Sequence, residues 1–132
     1  MDQEDEHFEA DLDVGVQLLR ELCEGFPHVN ALLREHEDDY DQILGTVLLN
    51  EIGNWYVDSW LARDTHPDAF EEAQQFVARM ATRFPHVTDD EQNMLATGFL
   101  EALPNPGEPH REAVDQLPQP LRKERSDMDT PR

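Results

Sequence analysis

The chain of 132 residues suits one domain, and its six Phe, two Trp and two Tyr with 38% apolar residues can supply one core. Thirty acidic and ten basic residues give a formal net charge of −20, which argues against direct binding to nucleic acid or an anionic membrane. Cys23 is the single cysteine, no apolar run is long enough to span a bilayer, and the acidic start is unlike a signal peptide, so we expect a cytoplasmic protein.

The N-terminal half is predicted to hold two helices ahead of a long central one. Residues 1–9 are polar and acidic, and we expect them to be disordered. Apolar residues recur at helical spacing over 11–24, and Gly25 follows where a C-cap glycine belongs. A short second helix with its apolar residues in 29–36 comes next. The segment 42–63 is the predicted central helix. Its apolar arc is wide enough to contact two neighbouring helices.

The C-terminal half is predicted to hold three further helices and a disordered tail. Apolar residues repeat at helical spacing over 70–84, and Pro85 ends that pattern. Thr88 opens a segment with capping-box spacing, which predicts the start of a fifth helix. A short sixth helix follows the proline-rich turn at 104–107. The charged residues 122–132 are expected to be disordered.

This periodicity predicts an all-α fold, a single compact domain of five to six helices over residues 10–121, because no window alternates long enough for a paired strand. Gly45 and Gly53 lie inside the predicted central helix, where each costs about 1 kcal/mol against alanine, and Gly45 is a candidate break or kink. Helices with one apolar face must bury it against each other. The predicted core residues are Leu19, Leu22, Phe26, Leu48, Ile52, Trp55, Phe76, Met80, Leu95 and Phe99.

The chain lacks the patterns that catalysis or cofactor binding requires, so we expect neither an enzyme nor a cofactor. Ser59 lies inside a predicted helix, Ser126 in the tail and Cys23 on an apolar helix face, so none has the setting of a nucleophile. The six histidines contain no pair four residues apart, and no metal site is predicted. The alternating acids that begin at Glu37 have Gln42 where a calcium loop needs glycine, which excludes an EF-hand.

A run of acidic residues before the central helix is the candidate binding surface. It includes Tyr40, and a tyrosine framed by carboxylates is typical of an interface anchor that faces a basic partner. We expect the run to be a loop held between two helices. The alternative is that Tyr40 covers the helix junction while the acids solvate it and cap the next helix. The candidate partner-binding residues, called the acidic run below, are Glu35, Glu37, Asp38, Asp39, Tyr40 and Asp41.

Two further features each have two interpretations. The tetrapeptide Phe-Pro-His-Val occurs at 26–29 and again at 84–87, which indicates either an internal duplication or chance reuse of a helix junction. Trp55 and Trp60 on the central helix are interpreted as core residues, with a ligand pocket as the alternative.

Two segments carry a resemblance to known proteins. The sequences LLREHEDDYD at 32–41 and ATGFLEALP at 96–104 resemble a family of small acidic, mostly actinobacterial proteins of uncharacterised function, over roughly residues 12–122. In size and charge the chain also resembles the immunity proteins of polymorphic toxin systems, which neutralise a toxin by covering its active surface. These resemblances imply a protein-binding role and supply no catalytic residue.

The leading hypothesis is a non-catalytic, cytoplasmic protein-binding module, of the immunity-protein type, with an acidic surface for a basic protein. One alternative is a structural or adaptor protein whose acidity serves solvation or salt adaptation, and another is a protein that mimics DNA. A binding surface predicts clustered charge, whereas salt adaptation predicts an even coat. Residues 1–41 hold fourteen acids and two bases, and residues 104–132 hold six and five, which favours a cluster. The oligomeric state is left open.

Overall fold

The fold is seen in a computed structural model of the chain, which describes residues 15–129. Within that range the structure contains seven α-helices, two 3₁₀ turns and no strand, which confirms the all-α prediction. The predicted disordered segment 1–9 lies outside the described residues. The helices are α1 (15–23), α2 (Pro27–Tyr40), α3 (Gly45–Leu61), α4 (Pro67–Arg83), α5 (Asp89–Gly98), α6 (Glu112–Asp115) and α7 (Leu121–Asp129), and the 3₁₀ turns are Phe84–His86 and Leu100–Ala102.

Helix α3 is the centre of the domain, and it packs against α2, α4, α5 and the second 3₁₀ turn. Four aromatic rings, from α3, α4 and the cap residues of α2 and α5, meet edge to face here. The Phe76 ring centroid lies 6.1 Å from that of Phe26 and 6.3 Å from that of Phe99, which in turn lies 5.8 Å from that of Tyr56. All of the predicted core residues are buried except Trp55, which is partly buried at the edge of the core.

Two glycines explain how closely α3 approaches α5 and the second 3₁₀ turn. A Cβ atom added at Gly53 would lie 3.0 Å from the Ala102 Cβ, and one added at Gly98 would lie 2.7 Å from the Leu49 Cβ. The cost that Gly53 imposes on helix α3 is therefore offset by close helix packing. Gly45, the predicted break or kink, is instead the first residue of α3.

The N-terminus of α2 is capped by a residue from another helix. Phe26 at the N-cap position offers no side-chain hydrogen bond, and the Val29 N–H instead donates to Glu72 Oε2 of α4 at 2.9 Å. The other carboxylate oxygen, Oε1, lies 2.9 Å from His28 Nδ1. A negative charge is favourable at this positive end of the helix dipole, so the buried Glu72 holds α2 and α4 together.

The predicted disorder of residues 122–132 is wrong for the part of this tail that the structure describes, because residues 121–129 form α7. Arg125 is buried, and it donates to Asp129 on its own helix and to Asn105 Oδ1 at 2.7 Å. Asp129 also accepts from Arg111 NH2 at 2.6 Å. Two of the charges that suggested a solvated tail, Arg125 and Asp129, therefore pair with each other and fasten α7 to the preceding loop.

Candidate partner-binding surface

The acidic run is helical, and the predicted loop at this position is wrong. Residues 35–40 form the last turns of α2, and Asp41 is its C-cap with a left-handed φ of 56°. A short polar side chain such as aspartate tolerates that conformation better than most residues. Only residues 42–44 then remain as the connection to α3. The run is consequently held on a rigid helix that contacts α1, α3 and α4.

The carboxylates of the run lie at the C-terminal end of α2, where a negative charge destabilises the helix. The C-terminal end of a helix carries a partial negative charge, and the last turn of α2 contains no basic residue to balance it. One carboxylate is compensated from outside, because Glu37 accepts two hydrogen bonds, of 3.2 and 3.0 Å, from Arg20 on α1. Glu35, Asp38 and Asp39 are exposed on the outward face of the helix.

Tyr40 points to a different side of α2 from those exposed carboxylates. It follows His36 by four residues, so both side chains lie on the face toward α3. The ring centroids of His36 and Tyr40 are 4.7 Å apart, and Tyr40 is still 45% exposed because it ends the helix. Tyr40 therefore faces α3, whereas the exposed carboxylates of residues 35–39 face outward, so they do not surround the tyrosine.

His36 fixes the junction between α2 and α3, which sequence reasoning missed. Its ring is buried, and Nε2 accepts a hydrogen bond of 2.9 Å from the Leu44 N–H. Because Nε2 is the acceptor, Nδ1 carries the hydrogen and donates to Glu51 Oε2 at 3.3 Å. The sequence feature that could have indicated this role is the position of His36 on the apolar face of a helix, four residues before Tyr40.

A second exposed apolar side chain adjoins this junction. Val47 is 39% exposed in the first turn of α3, so it and Tyr40 flank the short connection between the two helices. The end of the α2–α3 hairpin thus presents exposed carboxylates and two exposed apolar side chains.

The two tryptophans have partners inside the fold. The Trp55 ring is stacked on His28, with ring centroids 6.2 Å apart and planes 25° apart. The Arg63 guanidinium lies 4.2 Å from the centre of the Trp60 ring, a cation–π contact. Both tryptophans are partly buried and pack against the core, which agrees with their interpretation as core residues.

The thiol of Cys23 is fully buried on α1, and burial raises its pKa to about 12, so it is protonated at neutral pH. Ser59 is also buried. Among residues 15–129, no group of three or more His, Cys, Asp or Glu side chains is arranged to hold a metal ion. None of the helices in the same range is both long and apolar enough to cross a membrane.

Comparisons with protein-family models, with curated proteins and with solved structures gave no match. The resemblance noted from the sequence therefore stays a prediction. What supports a function for this chain is the arrangement of its own residues, above all the charged end of the α2–α3 hairpin.

Proposed function

We propose that the chain is a non-catalytic protein-binding module, of the immunity-protein type, and that the acidic run attracts a basic protein. The observation that carries this proposal is the position of the carboxylates at the C-terminal end of α2. Glu35, Asp38, Asp39 and Asp41 have no ion-pair partner among the described residues, and the helix dipole opposes them. Their placement lowers the stability of α2, so a role outside folding accounts for them better.

The acids at the start of α5 differ in this respect, because folding explains their position. Asp89, Asp90 and Glu91 lie in the first turn of α5, where the helix dipole favours them. Glu91 also completes a capping box with Thr88, since it accepts from the Thr88 N–H at 2.8 Å. Folding accounts for these acids, whereas it does not account for the acids of α2.

Charge and apolar contacts would act at different stages of binding. Exposed carboxylates raise the encounter rate with a basic surface through long-range attraction, which salt screens. Tyr40 acts after the encounter, because a half-exposed aromatic ring gains contact area only in the docked complex. The acidic run should therefore govern association and Tyr40 should govern dissociation.

The test uses a variant in which Glu35→Gln, Asp38→Asn, Asp39→Asn and Asp41→Asn are combined. Its matched control neutralises the same number of exposed acids elsewhere, at Glu24, Asp64, Asp68 and Glu71. A partner recovered from native cytosol should associate with the run variant several-fold more slowly at about 0.05 M salt, and the difference should shrink at about 0.5 M. Equal rates for run variant and control would place the interface elsewhere.

The same variants also separate binding from folding. Removing carboxylates from the C-terminal end of α2 relieves the conflict with its dipole, so the run variant should unfold at the same or a higher urea concentration than the native chain. A Tyr40→Ala variant should mainly raise the dissociation rate. If the run variant lost stability, the acids would be structural, as the alternative interpretation holds.

A further inference from the structure

The outward side of α3 is an uncharged strip that runs the length of the helix. Its members are spaced three and four residues apart, which places them within an arc of about 80° and over a length of about 21 Å. Both ends of the strip are apolar and exposed, Val47 by 39% and Leu61 by 45%. The residues of this α3 strip are Val47, Asn50, Asn54, Val57 and Leu61.

The centre of the α3 strip is polar but carries no charge. Asn50 and Asn54 are both exposed, and neither side-chain amide forms a hydrogen bond to a described residue. Val57 is partly buried between them and the end of the helix. Alternating steps of three and four residues with apolar ends are the spacing by which one helix packs along another, and a central asparagine fixes the register of such a pair.

A groove of about 670 Å³ lies beside the strip, between α3 and the loop that follows the second 3₁₀ turn. Val57, Pro104 and Pro109 contribute apolar wall. The other lining groups include the carboxylates of Asp58, Glu101 and Glu108, and none of the lining residues is Lys or Arg. The surface thus has two apolar ends, an uncharged polar centre and an acidic edge.

We propose that the α3 strip and this groove receive an amphipathic basic helix of the partner protein. The helix would lay its apolar side on the α3 strip and direct lysine or arginine toward the acids at the edge. Charge complementarity selects this occupant, since a second copy of the chain would bring another −20 charge to an acidic edge. This inference rests on the proposed function, because it specifies which element of the basic partner docks.

The acidic run and the α3 strip lie on either side of the short connection between α2 and α3. Val47 begins the strip directly after the short connection from Tyr40, so an approaching basic helix would encounter the carboxylates of α2 and then the apolar contacts of α3. Steering and docking therefore belong to adjacent surfaces. They can be disabled separately, which makes the two proposals independently testable.

The probe is a synthetic peptide of about 18 residues with leucine at the two apolar heptad positions and lysine or alanine elsewhere. A second peptide has the same composition in an order that forms no apolar face. We expect the first to bind the full chain at about 0.15 M salt and the second to bind at least about tenfold more weakly. Amide chemical shifts of the native chain should change along residues 47–61.

The variant Val47→Glu with Leu61→Glu should weaken binding of the first peptide about tenfold, since it places charge where leucine would pack. Its control, Gln17→Glu with Ala78→Glu, adds the same charge at exposed positions of α1 and α4. The control should bind as well as the native chain or more tightly, because it only increases attraction. Circular dichroism checks that each variant keeps its helices.

Three results would overturn the inference. The first is equal binding by the strip variant and its control, and the second is equal binding of the two peptides. The third is a native dimer in sedimentation that the strip variant dissociates, which would make a second copy the occupant. If instead neutralising the acidic run left peptide binding and its salt dependence unchanged, the proposed function would fail at the acidic run while the α3 strip retained its role.

Discussion

Replacing Gly98 with alanine should destabilise the domain through the contact between α3 and α5. The added Cβ would lie 2.7 Å from the Leu49 Cβ and 3.1 Å from the Thr46 carbonyl oxygen. Both atoms belong to or adjoin the α3 backbone, so no side-chain rotation can move them. Ordinary carbon contacts need about 3.5–4.0 Å, and the helices would have to separate by roughly 1 Å.

The cost of that separation follows from the behaviour of overpacked cores. Extra volume in a packed interior costs about 1–3 kcal/mol, while alanine gains at most about 1 kcal/mol over glycine in a helix. Gly98 is the last residue of α5, so the gain is smaller there. We expect Gly98→Ala to lower the free energy of unfolding by about 1–2 kcal/mol.

Gly45→Ala is a matched control for this substitution. Its added Cβ would also lie 2.7 Å from the nearest atom, but that atom is the Met94 Sδ, near the end of a flexible side chain. Met94 can adopt another rotamer, so Gly45→Ala should change stability by less than about 1 kcal/mol in either direction. Urea unfolding followed by circular dichroism measures both. A Gly98→Ala variant as stable as Gly45→Ala would refute the packing argument.

Further expected outcomes concern single buried side chains. Phe76→Ala should cost about 3–5 kcal/mol in urea unfolding, and a loss below about 1 kcal/mol would show a loosely packed α4. Glu72→Leu should cost more than Glu72→Gln, because glutamine can still accept from the Val29 N–H, and equal costs would remove the cap from the explanation. Burial raises the pKa of Cys23 from 9.0 to about 12 and that of Tyr56 from 10.0 to about 12. Since the unfolded groups lose their protons first, the free energy of unfolding should fall as pH rises above about 9, and less in a Cys23→Ala variant; a flat profile would contradict this.

The helices and most of the core could be predicted because they depend on local periodicity. The core residues of α4, such as Phe76 and Met80, repeat at 3.6-residue spacing, and the Thr88 capping box is a local pattern that the structure confirms. Trp55 was predicted as core and is only partly buried, because it lies at the edge of the arc that α3 turns toward its neighbours.

The organisation of the candidate site could not be predicted in the same way. Glu72 and Val29 are distant in the chain, and only the packing of α4 on α2 makes one cap the other. The sequence suggested that Arg125 belongs to a solvated tail, because its partners Asp129, Leu103 and Asn105 are identified only by the tertiary structure. The separation of Tyr40 from the outward carboxylates likewise required knowing that α2 continues through residue 40.

The repeated Phe-Pro-His-Val shows what local sequence can predict and what depends on the tertiary structure. The tetrapeptide itself indicates only a helix boundary, since proline fits the first turn of a helix and disfavours a helical residue before it. At 26–29 the chain follows that rule, with Phe26 extended (φ −106°, ψ 103°) and Pro27 opening α2. At 84–87, Phe84 is instead helical (φ −51°, ψ −48°), and a 3₁₀ turn continues α4.

Local sequence therefore determined the helical class, the helix faces and several helix ends, but not the end of α2 or the formation of α7. The tertiary structure decided which conformation identical residues adopt and which distant charges become partners. The physical reason is one of range: periodicity and proline geometry act over a few residues. The burial of both Phe26 and Phe84, the carboxylate cap on α2 and the pairing of Arg125 depend on contacts between elements far apart in the chain.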